Sequence, residues 1–174
     1  MVALIVVDVQ KGLFLNENPI LNENELIENI NRLIGGARAN KMPVVFVQHE
    51  GKKGESFEKN SDSWKLHEGL QVESKKDVFI GKRHSSCFHG TGLAEKLRKW
   101  GVGQIIICGL KTPYCIDSTV RHGYSKEFKV ILAKDAHSTN NTSFLDSNSI
   151  INHHNLILSD YAEIISVNDI QFIY

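Results

Sequence analysis

The sequence is punctuated by short runs of apolar, mostly β-branched residues in which polar side chains do not alternate. The first, VALIVV at Val2–Val7, closes on Asp8, and further runs fall at 44–47, 78–80, 104–108, 129–133 and 163–167. A run that is apolar at nearly every position suits a strand covered on both faces, the condition of a parallel sheet. Between the runs the spacing turns helical: Leu26, Ile30, Leu33 and Ala37 recur on one face despite the weakening pair Gly35 and Gly36. Leu93, Leu97 and Trp100 do so again before Gly101, and Ile150, His154, Ile157 and Leu158 less clearly. Strand and helix thus alternate six times, the pattern of an open α/β sheet with right-handed crossovers and helices on both faces.

Composition narrows the function. At 174 residues and 41% hydrophobic, with no linker-like break, the chain is read as one domain spanning 1–174. Twenty basic and twenty acidic residues leave no basic stripe for a nucleic-acid backbone, so the expected partner is a small molecule. Met1 leads straight into the first apolar run, which is too short for a signal peptide, and no run reaches membrane-spanning length. Three cysteines without close pairing suit reduced thiols in a cytosolic protein.

Ligands of open α/β sheets bind beyond the carboxyl ends of the strands. Asp8, Lys82 and Cys115 each stand just past such an end, so one edge of the sheet gathers an acid, an amine and a thiol. The stretch QIIICGLKTPYCIDSTVRHG carries the thiol. Thr112 is a plausible N-cap, Pro113 suits the first helical position, and Cys115 then falls in the first turn. There the helix dipole and unpaired N–H groups would favour the thiolate over a free thiol with a pKa of about 8.5. Asp8 could take the thiol proton and pass it to a leaving amine, with Lys82 holding carboxylate and thiolate together. Both are expected to serve the site rather than the core. Singly, each has a bland reading: Cys115 as a small buried apolar residue, Asp8 as a cap, Lys82 as a surface charge.

Two loops complete the expectation. One holding Asn16, Asn18 and Pro19 follows the first strand. The other, at 48–76, is polar apart from Phe57, Trp64, Leu66 and Leu70, and loops of that length inside a compact domain tend to be lids or binding loops. Trp64 would either pin that loop to the core or wall a pocket.

DVQ at Asp8 to Gln10, GKRHSSCFHGTGL from Gly81 and CGLKTPYCIDSTVRHGY from Cys108 together resemble the signature segments of the isochorismatase-like cysteine hydrolases, in order and suitably spaced. The resemblance implies a six-stranded parallel sheet in a Rossmann-like three-layer α/β/α sandwich. It also implies a catalytic triad of Asp8, Lys82 and Cys115, and a cis peptide between Leu110 and Lys111. Backbone N–H groups of Lys111 and Cys115 would form the oxyanion hole, and dimers or tetramers are common in the family. Nicotinamidases carry an Asp-x-His metal motif after the second strand, where this chain reads VQHEGKKGESFEKN. With His49 and a distant His67 alone, no metal and no other cofactor is expected, and His153-His154 is read as helix surface.

From position, Gln10, Phe14, His49, Trp64 and Tyr114 would ring the pocket, and Arg83 or Lys111 could meet a substrate carboxylate. The expected activity is hydrolysis of a small amide or ureide C–N bond through a Cys115 thioester. The alternatives are enol-ether hydrolysis of the isochorismatase type, for which the family dispenses with the cysteine, and a catalytically silent small-molecule-binding module. A weaker one is a redox thiol paired with Cys108.

Overall fold

The structure is a computed structural model and describes residues 1–15 and 17–172. Asn16, placed above in the loop after the first strand, lies outside them. The elements are β1 (Val2–Val7), α1 (Glu23–Ala39), β2 (Val44–His49), β3 (Val78–Lys82), α2 (Leu93–Lys99), β4 (Gln104–Leu110), α3 (Asp117–Ser125), β5 (Lys129–Ser138), α4 (Ser147–Ile157) and β6 (Glu163–Ile165). The strands make one sheet in the order β3-β2-β1-β4-β5-β6, and every neighbouring pair is parallel.

The apolar runs are buried on both faces, which is why they do not alternate. Leu4, Val6, Ile106 and Cys108 face the layer containing Ile30, Leu33 and Ile34 of α1. Ala3, Ile5, Ile105 and Ile107 face the opposite layer, with Leu93 and Leu97 of α2 and Val120 of α3. The period of two along each strand sorts its residues between the layers. The result is the three-layer α/β sandwich. Among the described residues no helix is long and apolar enough to cross a membrane.

Five strand ends differ from the sequence expectation: β2, β3 and β4 each run two residues further, to His49, Lys82 and Leu110, and β5 and β6 change for visible reasons. β5 runs on to Ser138 instead of stopping at 133, because the ladder with β4 resumes after an irregularity at Ile107/Gly109 and pairs Gly109 with His137 and Leu110 with Ser138. β6 stops at Ile165 rather than 167. The Ser166 hydroxyl and the Val167 N–H donate to the two carboxylate oxygens of Asp135, at 2.6 and 2.8 Å, and so leave the ladder.

From β1 the chain builds outward to β2 and β3, then returns to place β4 on the other side of β1. The carboxyl ends of β1 and β4 therefore flank the switch point at which such sheets open a crevice. The backbones of the two strands come unusually close there. Gly109 has φ +117°, and a Cβ on it would lie 2.2 Å from the Val7 carbonyl oxygen. Glycine is the residue that meets both demands. Gly109→Ala is therefore expected to cost about 2 kcal/mol or more in folding stability, measured as a lower urea midpoint with unchanged slope.

Candidate active site

Asp8 leaves the end of β1 in a left-handed conformation, φ 50°, with its N–H donating to the Val47 carbonyl at 2.9 Å. A non-glycine residue held in that region is strained, and such strain clusters at functional sites. Lys82 is the last residue of β3 and sits opposite His49 of β2. From there its long side chain spans the end of β2 towards Asp8. Cys115 belongs to a π-helical turn, Thr112–Ile116, that precedes α3, and the Leu110–Lys111 peptide before it is cis.

Thr112 is not the N-cap expected from the sequence. Lys111 holds that position, and Thr112 is buried, its Oγ1 lying 2.9 Å from His137 Nδ1. His137 Nε2 lies 2.9 Å from Asn155 Oδ1, while Asn155 Nδ2 donates to the Lys134 carbonyl. Since Asn155 Oδ1 accepts, Nε2 carries the proton and Nδ1 accepts from the Thr112 hydroxyl. A buried polar chain thus ties the Cys115 turn to β5 and α4.

The ammonium of Lys82 has three donors and three neighbours to receive them. Its Nζ stands 2.6 Å from Asp8 Oδ2, 3.1 Å from the His84 carbonyl oxygen and 3.3 Å from Cys115 Sγ. Asp8 and Lys82 are both buried. Asp8 Oδ1 is buried as well and makes no hydrogen bond, although sulfur and carboxylate are close enough to perturb one another. Burial pushes the Asp8 carboxyl above its usual range against the pull of Lys82. For Lys82 burial opposes the charge, but Asp8 and the nearby thiols outweigh it and the ammonium is held above its ordinary value.

The thiol departs from the expectation of a stabilised thiolate. Burial first, and then the Asp8 charge, push Cys115 up to about 12, with Lys82 pulling the other way. The resting group is a thiol beside a carboxylate already paired to an ammonium. The other two cysteines are fully buried. Cys108 faces the opposite core layer from Cys115, which removes it as a disulfide partner.

A cavity of about 260 Å³ opens over the thiol, lined by Asp8, Gln10, Leu13, His49, Phe57, Lys111, Tyr114 and Cys115. Of the expected pocket residues, Gln10, His49 and Tyr114 line it, and Phe14 and Trp64 do not. Phe14 packs on the α1 core layer and edge-on against His67. The loop is pinned at Trp64 by its backbone rather than its ring: the carbonyl accepts from Gln10 Nε2 at 2.8 Å and from Gln48 Nε2 at 3.0 Å. The loop's contribution to the wall is Phe57 instead, with Leu13 from the turn after β1. The Gln10 amide is fully engaged, since it also donates to the His49 carbonyl and accepts from the His49 N–H. It is a strut rather than a substrate contact.

An Isochorismatase domain model matches residues 2–163. The chain belongs to the isochorismatase family. The isochorismatase family protein YddQ of Bacillus subtilis (strain 168) is 34% identical over 129 residues, covering 70% of this chain and 71% of that protein. Nicotinamidase 3 of Arabidopsis thaliana is 30% identical over 152 residues, covering 80% and 77%. A crystal structure of an isochorismatase family protein superposes with TM-score 0.88 at 29% identity, covering 95% of this chain and 98% of that one.

The metal of some isochorismatase-family enzymes finds no fitting donor set here. Among the described residues no three His, Cys, Asp or Glu side chains gather to hold an ion. His49 lines the cavity edge-on to Phe57, and burial, then Lys82, lowers its pKa. His67 turns away, Nε2 to Glu23 at 3.0 Å. His154 bonds back to the Ile150 carbonyl. Sequence reasoning missed Leu13, the part of Phe57 in the wall, and the chain through His137 and Asn155. His137 would have been noticed had β5 been carried past residue 133.

Two outcomes are expected. The iodoacetamide alkylation rate of Cys115 should keep rising with pH beyond 9, with no plateau near the ordinary thiol value of about 8.5; peptide mapping separates it from Cys87 and Cys108. Stability should fall in acid through His137, which burial lowers from 6.5 to about 4. The unfolded chain takes the proton first, so stability is complete above pH 6.5 and drains as the pH falls to about 4. The loss is about 3 kcal/mol, read from urea midpoints, and should vanish in His137→Gln.

Proposed function

We propose that the protein hydrolyses the C–N bond of a small amide or ureide through a thioester on Cys115. The observation that carries this reading is the three-way contact of Lys82 with Asp8 and Cys115, beside the unpaired Asp8 Oδ1. In the first half-reaction Cys115 Sγ attacks the amide carbonyl carbon as its proton passes to Asp8. Lys82 stays protonated and stabilises the sulfur's developing negative charge. Backbone N–H groups of Lys111 and Cys115 receive the carbonyl oxygen as it becomes an oxyanion. The tetrahedral adduct collapses, the C–N bond breaks, and Asp8 returns the proton to the leaving nitrogen.

Water then attacks the thioester, giving one proton to Asp8. The C–S bond breaks, the acid departs, and the thiol regains its proton from Asp8. Amide plus water yield acid plus amine or ammonia. A base with a raised pKa suits the accepting role of Asp8, and a thiol that is neutral at rest gives up its proton during attack rather than before it.

The test is release of ammonia from a panel of small amides. Cys115→Ala is expected to lower it by about a thousandfold or more; retention of activity on an enol ether would point to the isochorismatase-type route instead. Asp8→Asn and Lys82→Ala should also abolish turnover. Unlike a purely site-serving pair, each should cost roughly 3 kcal/mol in stability, because a buried charge loses its partner; circular dichroism and urea titration separate the two effects.

A further inference from the structure

The cavity holds a cation that the hydrolytic scheme leaves unused. Lys111 contributes a backbone N–H to the proposed oxyanion hole, but its half-buried side chain also lines the cavity wall. Its Nζ lies 3.0 Å from Asn140 Oδ1 and 5.3 Å from the centre of the Tyr114 ring. Among the described residues no carboxylate pairs with it, whereas the other ammonium at the site, Lys82, is neutralised by Asp8. Beyond Asp8 and Cys115, the remaining wall is Leu13, Phe57, Tyr114, Gln10, whose amide is already bonded to the backbone of His49 and Trp64, and His49, whose protonated form is disfavoured by burial and by Lys82. The cavity therefore has walls without a free charge apart from one unbalanced positive one.

We propose that Lys111 anchors an anionic group of the substrate, so that the cavity selects a small amide or ureide bearing a carboxylate at the end away from the scissile bond. This rests on the amide-hydrolase reading of the same cavity. At about 260 Å³ the space falls below the ~300–1,000 Å³ typical of drug-sized ligands. Lys111 and Cys115 line this one cavity and are close enough for the sulfur to act on the ammonium. Of the two cations that could serve, Arg83 is exposed and outside the lining, which leaves Lys111. An ammonium already partly stripped of water and given one neutral acceptor gains from a carboxylate.

Two reagents of nearly equal size, iodoacetate and iodoacetamide, read this charge without requiring turnover. The rate ratio at Cys115, divided by the same ratio for N-acetylcysteine, cancels any change in thiol ionisation because both reagents need the same thiolate. That ratio is expected to fall about tenfold in Lys111→Gln and to be restored in Lys111→Arg. An unchanged ratio in Lys111→Gln overturns the proposal, as does a wild-type ratio no higher than that of the free thiol, a measurement that needs no variant. Ammonia release from succinamate against butyramide forms the second arm, with succinamate expected to be preferred in the wild type and the preference lost in Lys111→Gln. No ammonia from either amide, together with the tenfold fall, would overturn the hydrolase reading and uphold the anion site; ammonia from both alike, with an unchanged ratio, would do the reverse.

Discussion

An ammonium buried at the carboxyl edge of the sheet is the constraint on which the site depends. Lys82 loses its water and must find three acceptors, and the fold supplies a carboxylate, a carbonyl and a sulfur. Removing two charges from water costs several kcal/mol per ion, which their attraction offsets only when the geometry is good. The pair is thus poor as a source of stability and useful as a source of position. Asp8 is turned so that one oxygen faces Lys82 and the other is left without a hydrogen bond. A free acceptor beside a thiol is what a proton transfer during attack requires.

The scaffold fixes these groups from both sides of the switch point. Gly109 lets β4 approach Val7 closely enough that the ends of β1 and β4 share one edge. The π-helical turn that carries Cys115 is then braced from behind by Thr112, His137 and Asn155, a chain in which every proton has a place. In front, Gln10 and Gln48 hold the carbonyl of Trp64 and so set where the long loop crosses. Phe57, further back in that loop, becomes a wall of the cavity.

The features legible in the sequence were those written in local pattern. Non-alternating apolar runs gave the strands, because burial on both faces leaves no polar positions, and the strand-end rule then picked out Asp8, Lys82 and Cys115. What could not be read depended on where a chain goes after it leaves its pattern. Phe14 and Phe57 look alike as isolated aromatics, yet one packs under α1 and the other faces the cavity. Thr112 has the chemistry of an N-cap, but a buried histidine twenty-five residues later claims its hydroxyl. The ionisation of Cys115 was misjudged for a related reason. A helix start seen in isolation favours a thiolate, while burial and a neighbouring carboxylate, both tertiary, favour the thiol.

The three groups of the candidate site come from positions 8, 82 and 115: the end of β1, the end of β3 two strands away, and the turn after β4, which joins the sheet on the other side of β1. Contacts between residues so far apart in sequence form late and slowly. During synthesis the chain therefore carries Asp8 and Lys82 before Cys115 exists, so the ammonium has its carboxylate within reach while it still lacks its sulfur. An unfinished or unfolded copy holds an ordinary cysteine and two solvated ions, so the proposed hydrolytic chemistry belongs only to molecules whose sheet is complete.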